Sequence, residues 1–423
     1  MTGDLNIVHA ASLCRVTDSG TARRGPDQNR LDAVPDGGVA IRDGVIRAVG
    51  TTAEVLAEYG EAGVPTIDAT GRTVMPGLVE AHSHPMFAGE RADEYAERLG
   101  GATLQEIAAR GGGIWRSVVA TRAAADGDLL ASLDVAYRKM LRGGITTVEV
   151  KSGYGLTTET ELHQLALLEA SRSLTPINLI VTFLGSHVVP RDLDPGTYPT
   201  SGDRFTELVA GSMTDAVLAQ GYAQFQDVTV EEGLFTPAQG LTMMAASRAK
   251  GLPVRVHADA WKPSLGWRTA VEGGAISAEH LTYTDDSEID EVGETDTIAV
   301  VLPVAELIYM TDRRANARRF IDTGVPLAVS TDFCSSIRAA SLLSTMTMSA
   351  PWFRITPAEA VVACTLNAAY SLGIAGRTGS IDVGKRGDLL VLGCPSAEEL
   401  FIRLGDGLLD QVVIGGEVAV GAS

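Results

Sequence analysis

Between residues 78 and 331, short apolar runs rich in valine, isoleucine and leucine alternate with stretches whose apolar residues recur every three or four positions. The first kind of pattern predicts buried strands and the second amphipathic helices. Eight such runs occur, at 78–82, 146–150, 179–184, 225–230, 254–257, 276–279, 297–302 and 327–331. TELHQLALLEASRSL and TPAQGLTMMAASRAK are two of the helical stretches between them. The long insert at 85–142 carries helical patterns of its own and the string ARGGGI. Alternation of this kind is the signature of a parallel sheet, and eight strand–helix units fit a closed barrel better than an open sheet.

The flanks follow a different pattern. LNIVHAASLCRV, GGVAIRDGVIRAVG and VPTIDATGRTV at one end, and GSIDVGKRGDLLVLG and LLDQVVIGGEVAV at the other, read as short strands with turns. Asp43-Gly44 between two such runs is a hairpin signal. Residues 22–36, rich in Arg, Asp, Pro and Gly, read as a loop. The expected fold class is therefore α/β: a (β/α)8 TIM-like barrel over 74–375, with a small β-sandwich domain built from both termini, 1–73 and 376–423.

At 423 residues the chain has room for a barrel of roughly 250 residues and an accessory domain. Its formal charge of −19, with no basic run or stripe, argues against a nucleic-acid or anionic-membrane partner. Cys14, Cys334, Cys364 and Cys394 are scattered without a CxxC, so neither a disulfide framework nor a thiolate metal site is suggested. The start lacks a basic segment followed by an apolar core, and no apolar run reaches the roughly 20 residues of a membrane span. A soluble cytoplasmic protein is expected, for which a homodimer is admissible.

Chemistry enters with the histidines. VMPGLVEAHSHPMFAGER, at 74–91, ends the first predicted strand in His82 and His84. Residues two apart on a strand point to the same side, so both imidazoles face one point. Of seven histidines, five close a predicted strand: His82, His84, His187, His257 and His280. The eighth strand runs into STDF, which puts Asp332 at the same rim, where barrel active sites lie. His9, in the sandwich, and His163, in a helix, fall outside this set. One strand-end histidine is commonly a satisfied core residue; five with an aspartate make a metal site. His82, His84, His257 and Asp332 offer three nitrogens and one oxygen to one divalent ion, zinc before iron or manganese. Such an ion makes hydroxide available near neutral pH. Asp332 is then the group to accept the water's proton, and His280 the one to polarise a carbonyl or hold the water. FQDVTV on the fourth strand contains no lysine to bridge a second metal, so a mononuclear centre is expected. Lys151, ending the second strand, reads as a structural ion pair with an acid such as Glu149.

These residues resemble the amidohydrolase superfamily and, within it, the imidazolonepropionases. PGLVEAHSH, FAGER, GATLQEIAARGGGI, EVKSGYGL, TFLGSHVVP, HAD, AEHL, STDF, LNAAYSLGI and GSIDVGKRGDLLVL carry the resemblance from about residue 35 onward. It implies that Arg91, Tyr154 and His187 hold a substrate propionate. That suits the chemistry, since a guanidinium grips a carboxylate bidentately and the other two can add hydrogen bonds. The implied partner is a small carboxylated heterocycle.

Two departures stand out. The family's HADE, whose glutamate shuttles protons, is here HADA, with Ala260 followed by Trp261. A relay must then use Asp332, His280 or a carboxylate such as Glu231 or Glu306. After STDF the family's Asn and Pro-Gly-Ser turn is replaced by Cys334-Ser335-Ser336-Ile337-Arg338. Trp261 and Cys334 would then form a rebuilt wall facing the ring. The leading expectation is a hydrolase of a five-membered cyclic amide or amidine with a propionate-like tail. The alternatives are a desulfhydrase of the thiohydantoin analogue, or an inactive relative that only holds metal or ligand.

Overall fold

A computed structural model describes residues 3–421. Its centre is an eight-stranded parallel sheet: β1 (Leu78–Glu80), β2 (Ile145–Lys151), β3 (Asn178–Ser186), β4 (Phe225–Val230), β5 (Val254–Ala258), β6 (Ser277–His280), β7 (Ile298–Val301) and β8 (Leu327–Val329). Neighbours in sequence are neighbours in space throughout. The two ends meet just beyond the strands, where Ser83 bridges Phe333 in parallel and His84 N donates to Phe333 O at 2.7 Å. That seam closes the (β/α)8 barrel.

Strand period two sorts the side chains. On β5, Val254 and Val256 join the apolar shell beneath the helices, so Arg255 and His257 point inward. On β2, Val148 and Val150 face out and Glu149 and Lys151 in; on β4, Val228 and Val230 face out and Asp227 and Thr229 in. The barrel interior is thus polar and charged, although the strands read as apolar runs.

The first strand ends at Glu80 and the last at Val329, two residues short of the expected ends in each case. The reason is a side chain. Glu80 reaches across the seam and accepts from Thr331 N at 3.0 Å and from the Ser330 hydroxyl, replacing the backbone ladder. Asp332 then turns into the left-handed region at φ 57°, which aims its carboxylate back over the barrel mouth.

The expected helices are present. Thr158–Ala170 starts at Thr157, whose hydroxyl accepts from Thr160 N. Pro237–Ala249 starts with a capping box between Thr236 and Gln239 and has proline at its first position. The insert after β1 contributes Ala92–Leu99, Leu104–Ala109, Ile114–Ala123 and Asp126–Arg142.

The terminal segments form two further sheets, one of four strands and one of six. The second takes strands from both ends of the chain, Ser12–Cys14 and Thr73–Pro76 beside Leu389–Leu392, Leu409–Ile414 and Glu417–Val420. A separate core that includes Ile7, Leu13, Val39, Ile41, Val74, Leu389 and Val413 lies between the sheets. Asp43 and Gly44, at φ 53° and 74°, make the hairpin turn between Gly37–Arg42 and Val45–Thr51. Residues 22–36 are not wholly loop. A short 3-10 helix, Gly25–Asn29, has Pro26 in its first turn, and its buried Gln28 accepts from Leu327 N at 2.9 Å and so seals the foot of β8. Among the described residues no helix is long and apolar enough to cross a membrane.

Candidate metal centre and substrate cavity

At the carboxyl ends of the strands, side chains from β1, β5 and β8 converge. His82 Nε2 and His84 Nε2 are 3.2 Å apart, and His84 Nε2 and His257 Nε2 are 3.3 Å apart. Asp332 Oδ1 lies 3.6 Å from His82 Nε2 and 3.7 Å from His84 Nε2. Ligand atoms about 2.0–2.1 Å from a tetrahedral zinc ion are separated by roughly 3.3 Å, so these spacings suit one cation. His257 Nδ1 spends its proton on Asp227 Oδ1 at 3.0 Å, which leaves Nε2 as a lone pair facing His84. Burial, then nearby positive charge, holds His82 and His84 well below the usual imidazole range, in the neutral form that ligates. His82, His84 and Asp332 lie close enough to share one divalent ion, and His257 adjoins them through His84.

Beneath the cluster is a fully buried ionic layer. Lys151 Nζ lies 2.6 Å from Asp227 and 2.7 Å from Glu149. Arg255 pairs with Glu149 at 3.0 Å and with Glu279 at 2.9 Å. Parallel pairing sets His257 beside Thr229 and Glu279, so the layer's charges stand directly against the metal-facing histidines. Glu279 Oε2 comes within 4.0 Å of His82 Nδ1. The expected Lys151–Glu149 pair is present, and its link to Asp227 connects it to His257. Asp227, Arg255 and Glu279 were not singled out from the sequence, although an acid or arginine inside an apolar strand is itself a signal.

His84, His257, His280 and Asp332 line one side of a cavity whose other walls include Arg91, Tyr154, His187, Trp261 and Cys334. The predicted site residues are thus brought together, His82 lying behind them. Arg91, buried, is fixed by Glu94 at 2.7 Å through Nε and reaches the Ser335 hydroxyl at 3.2 Å through Nη1. Tyr154 OH meets the same hydroxyl at 3.4 Å. Ser335 therefore marks where the two donors converge. His187 Nδ1 bonds the Gly153 carbonyl at 3.1 Å, and a carbonyl only accepts, so Nδ1 carries the proton. Burial pushes His187 down to about 3, and its Nε2 remains an acceptor. The Cys334 thiol is pushed up to about 11 by burial and stays protonated.

Sequence reading missed Tyr309 and Ser336, which also line the cavity and bond one another at 3.1 Å. Tyr309 ends the short helix Pro303–Tyr309, and Ser336 lies in the altered segment after STDF, neither of which marks the individual residue as a cavity wall. The two carboxylates named as relay candidates separate clearly. Glu306 is not among the cavity's lining residues; it anchors a loop by accepting from Ala315 N and Trp352 Nε1, both at 2.7 Å. Glu231 does line the cavity, and it accepts from Ala260 N at 2.6 Å. Asp259 bonds Ser264 N, Gly266 N and the Thr284 hydroxyl, so it organises its own loop.

A barrel with a histidine–aspartate cluster at the carboxyl ends of its strands has the architecture of the amidohydrolases. Residues 73–419 match the model of the amidohydrolase family, and the chain belongs to that family. Residues 37–62 further match a bacterial imidazolonepropionase-like composite domain. The imidazolonepropionase of Symbiobacterium thermophilum is 40% identical over 99% of this chain and 97% of its own length. That of Haloarcula marismortui is 39% identical over 93% of this chain and 92% of its own. Among solved structures, E. coli guanine deaminase superposes with a TM-score of 0.73 at 16% identity, covering 99% of this chain and 100% of that one. An adenosine deaminase from Xanthomonas campestris with bound zinc gives 0.71 at 20%, covering 99% and 93%. These last two speak for the fold alone.

Proposed function

We propose that this protein is a zinc-dependent hydrolase that opens the ring of 4-imidazolone-5-propanoate. The observation that carries the reading is the juxtaposition, in one cavity, of a three-histidine, one-aspartate cluster with Arg91 and Tyr154 converging on Ser335. Full-length similarity to imidazolonepropionases supports the choice of ring.

His82, His84, His257 and Asp332 would hold the ion. When bound there, it supplies Lewis acidity and brings the pKa of water towards 7. The chain's own residues do the rest. Arg91 and Tyr154 grip the propionate, with Glu94 preventing the guanidinium from swinging away. His187 faces the ring through an acceptor nitrogen, which matches a ring N–H better than a carboxylate; we reassign it accordingly. His280 and Trp261 border the space where the ring carbonyl would sit. Asp332, at the wall of the cavity beside the histidines, is placed to take the proton of the attacking water. Water's oxygen joins the carbonyl carbon, the ring C–N bond breaks, and the nitrogen leaves with one hydrogen.

The test is turnover by metal-loaded protein of three propionates, the imidazolone, the hydantoin and the thiohydantoin, with product mass read out. Ring opening of the imidazolone with a gain of one water is expected. Turnover confined to the thiohydantoin with loss of sulfide, or none at all, would refute the reading.

A further inference from the structure

We propose that Glu231 is the site's second acid–base group, the carboxyl that protonates the departing ring nitrogen; this rests on the hydrolase reading above. Breaking a ring C–N bond needs a proton at the nitrogen as well as a base for the water. Of the residues lining the cavity, only Asp332 and Glu231 carry a carboxyl. Asp332 belongs to the metal cluster and is the group placed to take the water's proton. That leaves Glu231.

Its hydrogen bonds are unevenly divided between the two oxygens. Oε1 accepts from Trp261 N at 3.2 Å, Lys262 N at 3.0 Å and the Ser264 hydroxyl at 3.4 Å. Oε2 accepts only from Ala260 N, at 2.6 Å. One oxygen is saturated and one retains a free position, so a proton carried by the group resides on Oε2. Ala260 and Glu231 share the cavity wall, and the alanine methyl cannot compete for that proton. The glutamate is buried, and among the described residues no lysine, arginine or histidine side chain is hydrogen-bonded to it. Lys262 turns its ammonium to Glu232 instead, at 2.8 Å. Burial pushes Glu231 up to about 7 against the lowering effect of the Ala260, Trp261 and Lys262 N–H groups, with the like charge of Asp259 adding to the rise. Three other groups in the wall, Tyr154, Tyr309 and Cys334, hold their protons too tightly, because burial raises them far above neutrality.

The protons balance. The attacking water gives its oxygen and one hydrogen to the carbonyl carbon and its other proton to Asp332. As the C–N bond breaks, its electron pair stays on nitrogen, which takes the Glu231 proton. Transfer of a proton from Asp332 to Glu231, directly or through solvent, restores both groups.

The experiment compares the metal-loaded wild type, Glu231→Gln and the double variant Glu231→Gln/Ala260→Glu, reading kcat, KM, pH profile, metal content and melting temperature. Glu231→Gln should lower kcat by about 10²–10⁴-fold with KM changed only a few-fold. It should also remove an alkaline limb near pH 7, because the active form is protonated. The double variant, which returns a carboxyl one residue away in the same wall, should recover part of kcat and a titrating limb. An unchanged kcat and pH profile in Glu231→Gln would overturn the proposal. So would a loss accompanied by lower melting temperature, with the same pH profile and no recovery in the double variant, which is the signature of a loop anchor. If the wild type opens none of the rings, the hydrolase reading fails and takes this inference with it. If the wild type is active and Glu231→Gln equals it, this inference alone fails.

Discussion

Asp227 Oδ1 and His257 Nδ1 are 3.0 Å apart, both buried, on adjacent strands of the barrel. The carboxylate fixes which nitrogen carries the proton and so which one is free for the metal. Lys151, at 2.6 Å, keeps Asp227 ionised and in place. Asp227→Asn preserves size but removes the charge and allows the amide nitrogen to face His257. Loss of such a partner weakens metal binding by about 10–100-fold. Competition with a chelator of known affinity should show a shift of that size, with one equivalent of metal in the wild type at saturation. Unaltered affinity would mean that His257 is oriented by packing alone.

Arg91 offers a second measurement. Its Nε is committed to Glu94, and its outer nitrogens meet the cavity beside Ser335 and Tyr154. Arg91→Met keeps much of the volume and removes the charge. It should lower kcat/KM for the carboxylated substrate by roughly 2–4 kcal/mol, the cost of losing one side of a buried charged pair. The methyl ester should lose a similar amount on the wild-type enzyme and little more on the variant. Equal turnover of acid and ester by the wild type would remove Arg91 from substrate recognition.

The rim of this site was legible in the sequence for a geometric reason. A strand ending in His-x-His, another in VRVHA and a third running into STDF place their last side chains at one end of a parallel barrel, wherever the loops go. Of the charged layer below, only the Lys151–Glu149 pair was legible. Asp227, Arg255 and Glu279 lie within apolar runs, and only closure of the barrel turns their alternate positions towards that pair. Ser335 and Ser336 arrive on a loop whose path no periodicity encodes, and Tyr309 comes from the end of a short helix that follows the seventh strand. Glu231 could be named as a candidate but not separated from Glu306, because that choice depends on which loop folds over the cavity.

The charged layer makes its own prediction. Lys151 is the cation between Glu149 and Asp227, all three with no exposed surface. Lys151→Met would leave two buried carboxylates facing each other with Arg255 alone to neutralise them. Removing one partner from a buried pair costs about 3–5 kcal/mol. Urea unfolding at pH 7.5 should show a loss of that order. It should shrink at acid pH, where the freed carboxyls can take up protons. A loss below about 1 kcal/mol, independent of pH, would place the pair among those whose attraction barely exceeds its desolvation cost.

Glu306 supplies a pH effect remote from the metal. Burial pushes its carboxyl from 4.5 up to about 7, against the hydrogen bonds from Ala315 N, Trp352 Nε1 and the Thr282 hydroxyl. Below about pH 4.5 both folded and unfolded chains hold the proton, and the group contributes nothing. Between 4.5 and 7 the unfolded chain releases it while the folded chain keeps it, so stability falls as pH rises. Above 7 the penalty is constant. A shift of this size corresponds to about 3 kcal/mol as an order of magnitude. Glu306→Gln cannot titrate, but its amide nitrogen would face the Trp352 donor, which costs stability equally at every pH. The informative quantity is therefore the difference between variant and wild type across pH. Urea midpoints taken from pH 4.5 to 7.5 should move that difference progressively in favour of the glutamine. A flat difference would show that Glu306 ionises as an ordinary carboxylate, with its three donors outweighing burial.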